Sequence, residues 1–159
     1  MPFNSDVALR LGLATVIGAL IGLNRNTHGK PAGLRTHALV ALGSALIIVI
    51  AGNLQGADGS HIADAQSRAI QGLITGVGFL GAGVILHRAD EKRVHGLTTA
   101  AAIWVAALFG AACGAGSYGA VACGFVLLMF VLIFGGPIER FIHHRLHGES
   151  DKPRSEADS

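Results

Sequence analysis

Residues 69–86 read AIQGLITGVGFLGAGVIL, eighteen residues with no charge, no proline and five glycines. At about 1.5 Å rise per residue, a helix of that length nearly crosses a bilayer core of roughly 30 Å. Turned through about 100° per residue, Leu73, Val77, Leu80 and Val84 fall in one narrow stripe. The rest of the circumference is mostly small, with Gly72, Gly76 and Gly83 on one side and Gly78 and Gly81 on another. This pattern predicts a membrane span whose bulky stripe faces lipid and whose glycines receive neighbouring helices. On that reading Gly76→Leu and Gly83→Leu are severe and Leu80→Ile is mild.

The composition of the whole chain agrees with a membrane setting. Of the 159 residues 51% are hydrophobic and only 14% charged, against about 25% charged in soluble globular domains. Mean hydropathy is +0.53. The length fits one domain with a tail. A net charge of +2 implies no nucleic-acid partner. Cys113 and Cys123 both lie in apolar surroundings and read as small buried residues, not as a disulfide framework. The first nine residues contain Asp6 and no basic group, so the first apolar run reads as a retained span instead of a cleaved leader.

Five apolar runs of 17 to 19 residues appear, at 7–23, 34–52, 69–86, 97–113 and 118–136, close to the roughly 17–25 residues that span a bilayer. Ten of the twelve Lys and Arg lie in three segments. Arg25, Lys30 and Arg35 flank the first connection, Arg88, Lys92 and Arg93 the third, and Arg140, Arg145, Lys152 and Arg154 follow the last run. Five spans put all three segments on one side, which the positive-inside rule makes cytoplasmic. The chain is therefore expected to be an all-α, multi-pass helical bundle of five transmembrane helices, with its N-terminus outside and its C-terminus inside. Residues 1–142 would form the membrane domain, and 143–159 a polar cytoplasmic tail without fixed structure.

Small residues recur every four positions in the first span (Ala14, Gly18, Gly22) and in the fourth (Ala106, Gly110, Gly114). Such ridges let backbones approach closely, either within the bundle or in self-association. Gly76-Val-Gly78-Phe-Leu-Gly81 spells the dinucleotide fingerprint G-x-G-x-x-G, but inside an uncharged span it lacks the strand, the helix start and the acidic residue that nucleotide binding requires. His143 and His147 stand at i, i+4, yet no acid or cysteine completes a metal site, and Arg140 and Arg145 among them suggest a cationic membrane-surface segment. No Asp, Glu, Lys or Arg sits near the middle of a span, which argues against an ion-coupled carrier. No nucleophile–base pairing is visible, so neither an enzyme nor a cofactor is expected. The polar candidates are at span ends: Asn24, Arg25, Arg35, Thr36, Asp64, Arg68, Thr98 and Thr99, read either as interfacial anchors or as an inter-helix polar cluster. The expected partners are the lipid bilayer and, through the glycine-rich faces, a membrane protein or a second copy.

These same residues carry a family resemblance. GALIGLNR at 18–25, KPAGLRT at 30–36, GVGFLGAG at 76–83 and GLTTAA at 96–101, followed by Ile103-Trp104-Val105, occur in an order that resembles the MgtC/SapB family of bacterial inner-membrane proteins. The resemblance implies an integral membrane domain of about five spans and a role in adaptation to magnesium limitation, with survival inside host cells in some pathogens. Family members have been described both as accessory to magnesium uptake and as regulators. Two residues depart from the family pattern: Asn24 stands where a glutamate is usual, and Asp64 lies four residues before Arg68 instead of three. Longer members carry a soluble C-terminal domain, whereas only a short polar stretch follows the last run here.

Overall fold

The computed structural model describes residues 5–53, 59–86 and 96–147. The described residues form five helices, α1 (Ser5–Thr27), α2 (Leu34–Gly52), α3 (Gly59–Leu86), α4 (Leu97–Gly114) and α5 (Tyr118–His147), and no strand. Each helix is long and apolar enough to cross a membrane. The chain divides into two units, Met1–Phe125 and Val126–Ser159.

In the first unit, α1, α2 and α4 pack against one another, and α3 lies against α2 and α4. What brings them together is the absence of side chains. A Cβ built on Gly18 would lie 2.5 Å from the His37 carbonyl oxygen, and one on Gly22 2.6 Å from that of Gly33. Across α2, a Cβ on Gly110 would meet the Ala41 carbonyl, and one on Gly114 would come within 2.6 Å of the Ala45 carbonyl. Thus α1 runs antiparallel to α2, while α4 runs parallel to it. The core is correspondingly small, with Ala14, Ala41, Ala45, Ala106 and Ala107 buried and a few isoleucines (Ile21, Ile48, Ile103) filling the remaining space. Large apolar side chains point the other way: Leu39 is 67% exposed and Phe79 81%. A small-residue interior under a bulky apolar exterior is the arrangement a lipid solvent permits, since leucine gains little there by leaving the surface.

Glycine also closes the helices. Gly29 (φ 65°) and Gly116 (φ 74°) adopt the left-handed conformation just past α1 and α4. Around each, two amides return to the last turn: Gly29 to Asn26 and Lys30 to Arg25, Gly116 to Cys113 and Ser117 to Ala112. These are Schellman closures, which satisfy otherwise orphaned helix carbonyls. At the same end of α4, Arg10 of α1 donates through Nη1 to the Gly114 carbonyl (2.9 Å) while its Nε lies 2.8 Å from Asp6 Oδ2. The Phe109 and Phe125 rings meet edge to face, centroids 6.1 Å apart.

In the second unit, the helix passes through Pro137 and continues to His147, so 143–147 is helical where a polar tail was expected. The Phe130 and Phe134 rings lie 4.9 Å apart, and the Arg145 guanidinium sits 5.5 Å from the Phe141 ring centre. The side chains of Arg140, His143 and His147 fall outside the described set, as do Arg88, Lys92, Arg93, Lys152 and Arg154.

The expectation for α3 reverses. Val77 is buried in a cluster with Ala32, Ile103 and Ala107, and Leu73 and Val84 pack against that cluster. The bulky stripe therefore faces the bundle, with Leu80 at its exposed margin. A Cβ on Gly81 would reach Ala100 at 3.4 Å, but one on Gly72, Gly76, Gly78 or Gly83 would meet nothing within 4 Å among the described residues. Physically, Leu73 and Val77 pack on Ile103 and Ala107 of α4, where a glycine face would leave a void.

Candidate functional site

At the end of the bundle where α1 stops and α2 and α4 begin, the polar residues converge. Arg25 occupies the last turn of α1 and is only 6% exposed. Its Nη2 donates to the Thr99 hydroxyl across 3.2 Å, linking residues 74 positions apart in the chain. Its Nε is buried without a hydrogen-bond partner among the described residues. Thr99 is itself buried in the first turn of α4.

Three local features shape the space beside Arg25. The Schellman closure at Gly29 folds Lys30 back over the Arg25 carbonyl (3.1 Å). Gly96, at φ 91°, precedes α4 without a side-chain cap. Ala100 is the first amide of α4 to find a helix acceptor, the Gly96 carbonyl at 2.8 Å, so the amides of Leu97, Thr98 and Thr99 precede the ladder. Between these elements lies a polar cavity of about 100 Å³ lined by Arg25, Lys30, Thr98 and Thr99 and by backbone of Gly29 and Gly96. A larger apolar groove of about 340 Å³ lies nearby, among Thr36, Leu80, Val84 and Ile103. It is the roomier space, but it has little to orient a polar ligand.

His37 is fully buried at the same end of α2. Its Nδ1 lies 2.9 Å from the Gly33 carbonyl, which can only accept, so Nδ1 carries the proton. Nε2 has no partner among the described residues.

Of the polar span-end residues, the structure unites Arg25, Thr98 and Thr99. Arg35 and Thr36 are exposed at the start of α2, and Thr36 lines the apolar groove instead. Asn24 is half-buried, and its carbonyl receives the Thr27 hydroxyl at 2.9 Å. Asp64 and Arg68 pair with each other at 3.1 Å on an exposed face of α3. They lie at the far end, because α3 runs antiparallel to α4: Gly81 meets Ala100 and Val84 meets Gly96, while Gly52, at the end of α2, meets Gln66. A single cluster joining Arg25 to Asp64 and Arg68 is therefore excluded by helix direction. Sequence reasoning missed His37 as a buried group and Lys30 as a cavity wall. A histidine four residues after a helix-opening glycine, in an otherwise apolar run, was the available signal for the first. Among the described residues no group of three or more His, Cys, Asp or Glu is placed to hold a metal ion.

Comparison with known proteins adds the lineage. Residues 11–141 match the MgtC family. Protein SrpB of Synechococcus elongatus is 47% identical over 130 residues, covering 77% of this chain and 71% of that protein. YhiD of Escherichia coli, described as a candidate magnesium transporter, is 41% identical, covering 80% of this chain and 60% of its own length. MgtC of Brucella abortus is 39% identical, covering 81% of this chain and 52% of its own. The chain thus spans from about half to seven-tenths of the length of these relatives. No solved structure matches it.

Proposed function

The chain belongs to the MgtC family of multi-pass membrane proteins, and from that premise we propose that it serves magnesium homeostasis in the bacterial inner membrane as a non-enzymatic regulatory or accessory protein. Its N-terminus is outside and its C-terminus inside, the orientation that gathers the basic connections on the cytoplasmic face. The observation that carries the regulatory reading is the donor character of the polar site around Arg25. Arg25, Lys30, Thr98 and Thr99 offer N–H and O–H groups, whereas magnesium asks for oxygen ligands, carboxylates above all. The glycine contacts of α1, α2 and α4 point the same way, since backbones that close on each other make a scaffold more readily than a conduit.

A transporter of magnesium or of a small solute is the second reading, favoured by the description of YhiD. Purified protein in liposomes under a magnesium gradient separates the two. No protein-dependent flux, together with restored growth of a magnesium-limited host carrying the gene, is the expected result. Flux that depends on the protein and disappears in Arg25→Ala would overturn the regulatory assignment.

A further inference from the structure

We propose that the polar cavity between the end of α1 and the start of α4 is a binding site for a phosphoryl-type oxyanion, either free in solution or carried on a lipid headgroup. Three observations meet there. The first is the N-terminus of an eighteen-residue helix without a side-chain cap, whose amides at Leu97, Thr98 and Thr99 precede the hydrogen-bond ladder. Such a terminus presents N–H groups and partial positive charge to an anion.

The second is Arg25, more than nine-tenths buried, lining the cavity, with one hydrogen bond to Thr99 and a buried Nε that has none among the described residues. Among the described residues the ion pairs are Arg10 with Asp6 and Arg68 with Asp64, so no carboxylate there answers the Arg25 charge. A buried guanidinium is costly without a counter-charge, and an anion in the cavity supplies one. The third is Lys30, which the Gly29 closure turns to the cavity wall. A planar fork, a point charge, two hydroxyls and a helix terminus together make a donor set for several oxygens of one tetrahedral group. A cavity of about 100 Å³ has room for such a group. The inference rests on the donor set that also carries the regulatory reading; one is tested by binding and the other by flux, so the failure of each is distinguishable.

The test uses the full chain purified in a maltoside detergent, whose headgroup has no phosphate. Thermal unfolding is followed while inorganic phosphate is titrated against chloride at matched ionic strength, and in parallel while phosphatidylglycerol is titrated against a phosphate-free glycolipid. A saturable rise in unfolding temperature with phosphate, phosphatidylglycerol or both, and none with the controls, is expected. A response to phosphate alone identifies a soluble phosphoryl compound as the source, and a response to the lipid alone identifies a headgroup. Lys30→Gln alters an exposed residue and should fold as the parent does, while weakening binding about tenfold, the loss of one charge-assisted hydrogen bond. Arg25→Lys keeps the charge but loses the fork and should weaken binding as well. Absence of a saturable shift with either probe, or undiminished binding in both variants, overturns the assignment.

Discussion

Arg25 and Thr99 show how much one contact can organise. The guanidinium sits in the last turn of α1, the hydroxyl in the first turn of α4, and the hydrogen bond between them is buried. Thr99→Val keeps the shape and removes the acceptor, leaving one more N–H of a buried charge unsatisfied. The expected cost is about 1.5–3 kcal/mol, the range for hydrogen bonds to charged groups, read as a lower unfolding temperature in detergent. Thr99→Ser should restore most of it. Arg68→Ala, by contrast, breaks only an exposed i, i+4 pair and should leave that temperature almost unchanged. Equal effects of Thr99→Val and Arg68→Ala would remove the distinction between the two ends of the bundle.

At the scale of the helix, glycine has two different uses in this protein. Gly18 and Gly22 on α1 and Gly110 and Gly114 on α4 lie against the backbone of α2 and its approaches. Gly110→Leu would drive a side chain into the Ala41 carbonyl, and the expected destabilisation exceeds the ~1–3 kcal/mol usual for overpacking, since a backbone cannot swing aside as a side chain does. A Cβ on Gly76 of α3 meets nothing within 4 Å among the described residues, so Gly76→Leu should leave the monomer's unfolding temperature intact. If that face receives a second copy, the same variant lowers the yield of cross-linked dimer in membranes while the melting curve stays put.

The sequence made the five helices legible because apolar run length is a property of each segment alone. α2 begins and ends at the residues read from its hydropathy. The ridges of α1 and α4 were legible too, as small residues four apart. The facing of α3 was not. In water the buried face is the apolar one, but in lipid both faces are apolar and only shape decides. Whether Val77 or Gly76 turns inward depends on what α4 offers there, and α4 offers Ile103 and Ala107 for Val77 to pack on. The site was half legible: Arg25 and Thr99 stood out as polar residues at span ends, but their pairing needed the antiparallel course of α1 and α4. The same topology carries Asp64 and Arg68 to the far end.

For the molecule as a whole, α1 is fastened to α4 at both extremities, by Arg10 on the Gly114 carbonyl and by Arg25 on the Thr99 hydroxyl. The two arginines are fifteen residues apart, so about 22 Å of helix separates them. That is less than the roughly 30 Å thickness of an ordinary hydrocarbon core. Arg10 already reaches toward the outer end, to Asp6 and the Gly114 carbonyl, and local thinning of the bilayer would accommodate the remaining difference. A preference for thinner bilayers is the expected consequence. Reconstituted into a series of phosphatidylcholines of increasing chain length, it should be most stable in the shorter chains, and Arg10→Ala should flatten that dependence. A patch of thinned membrane would also draw together proteins that share the mismatch, giving this chain a way to choose neighbours without touching them first.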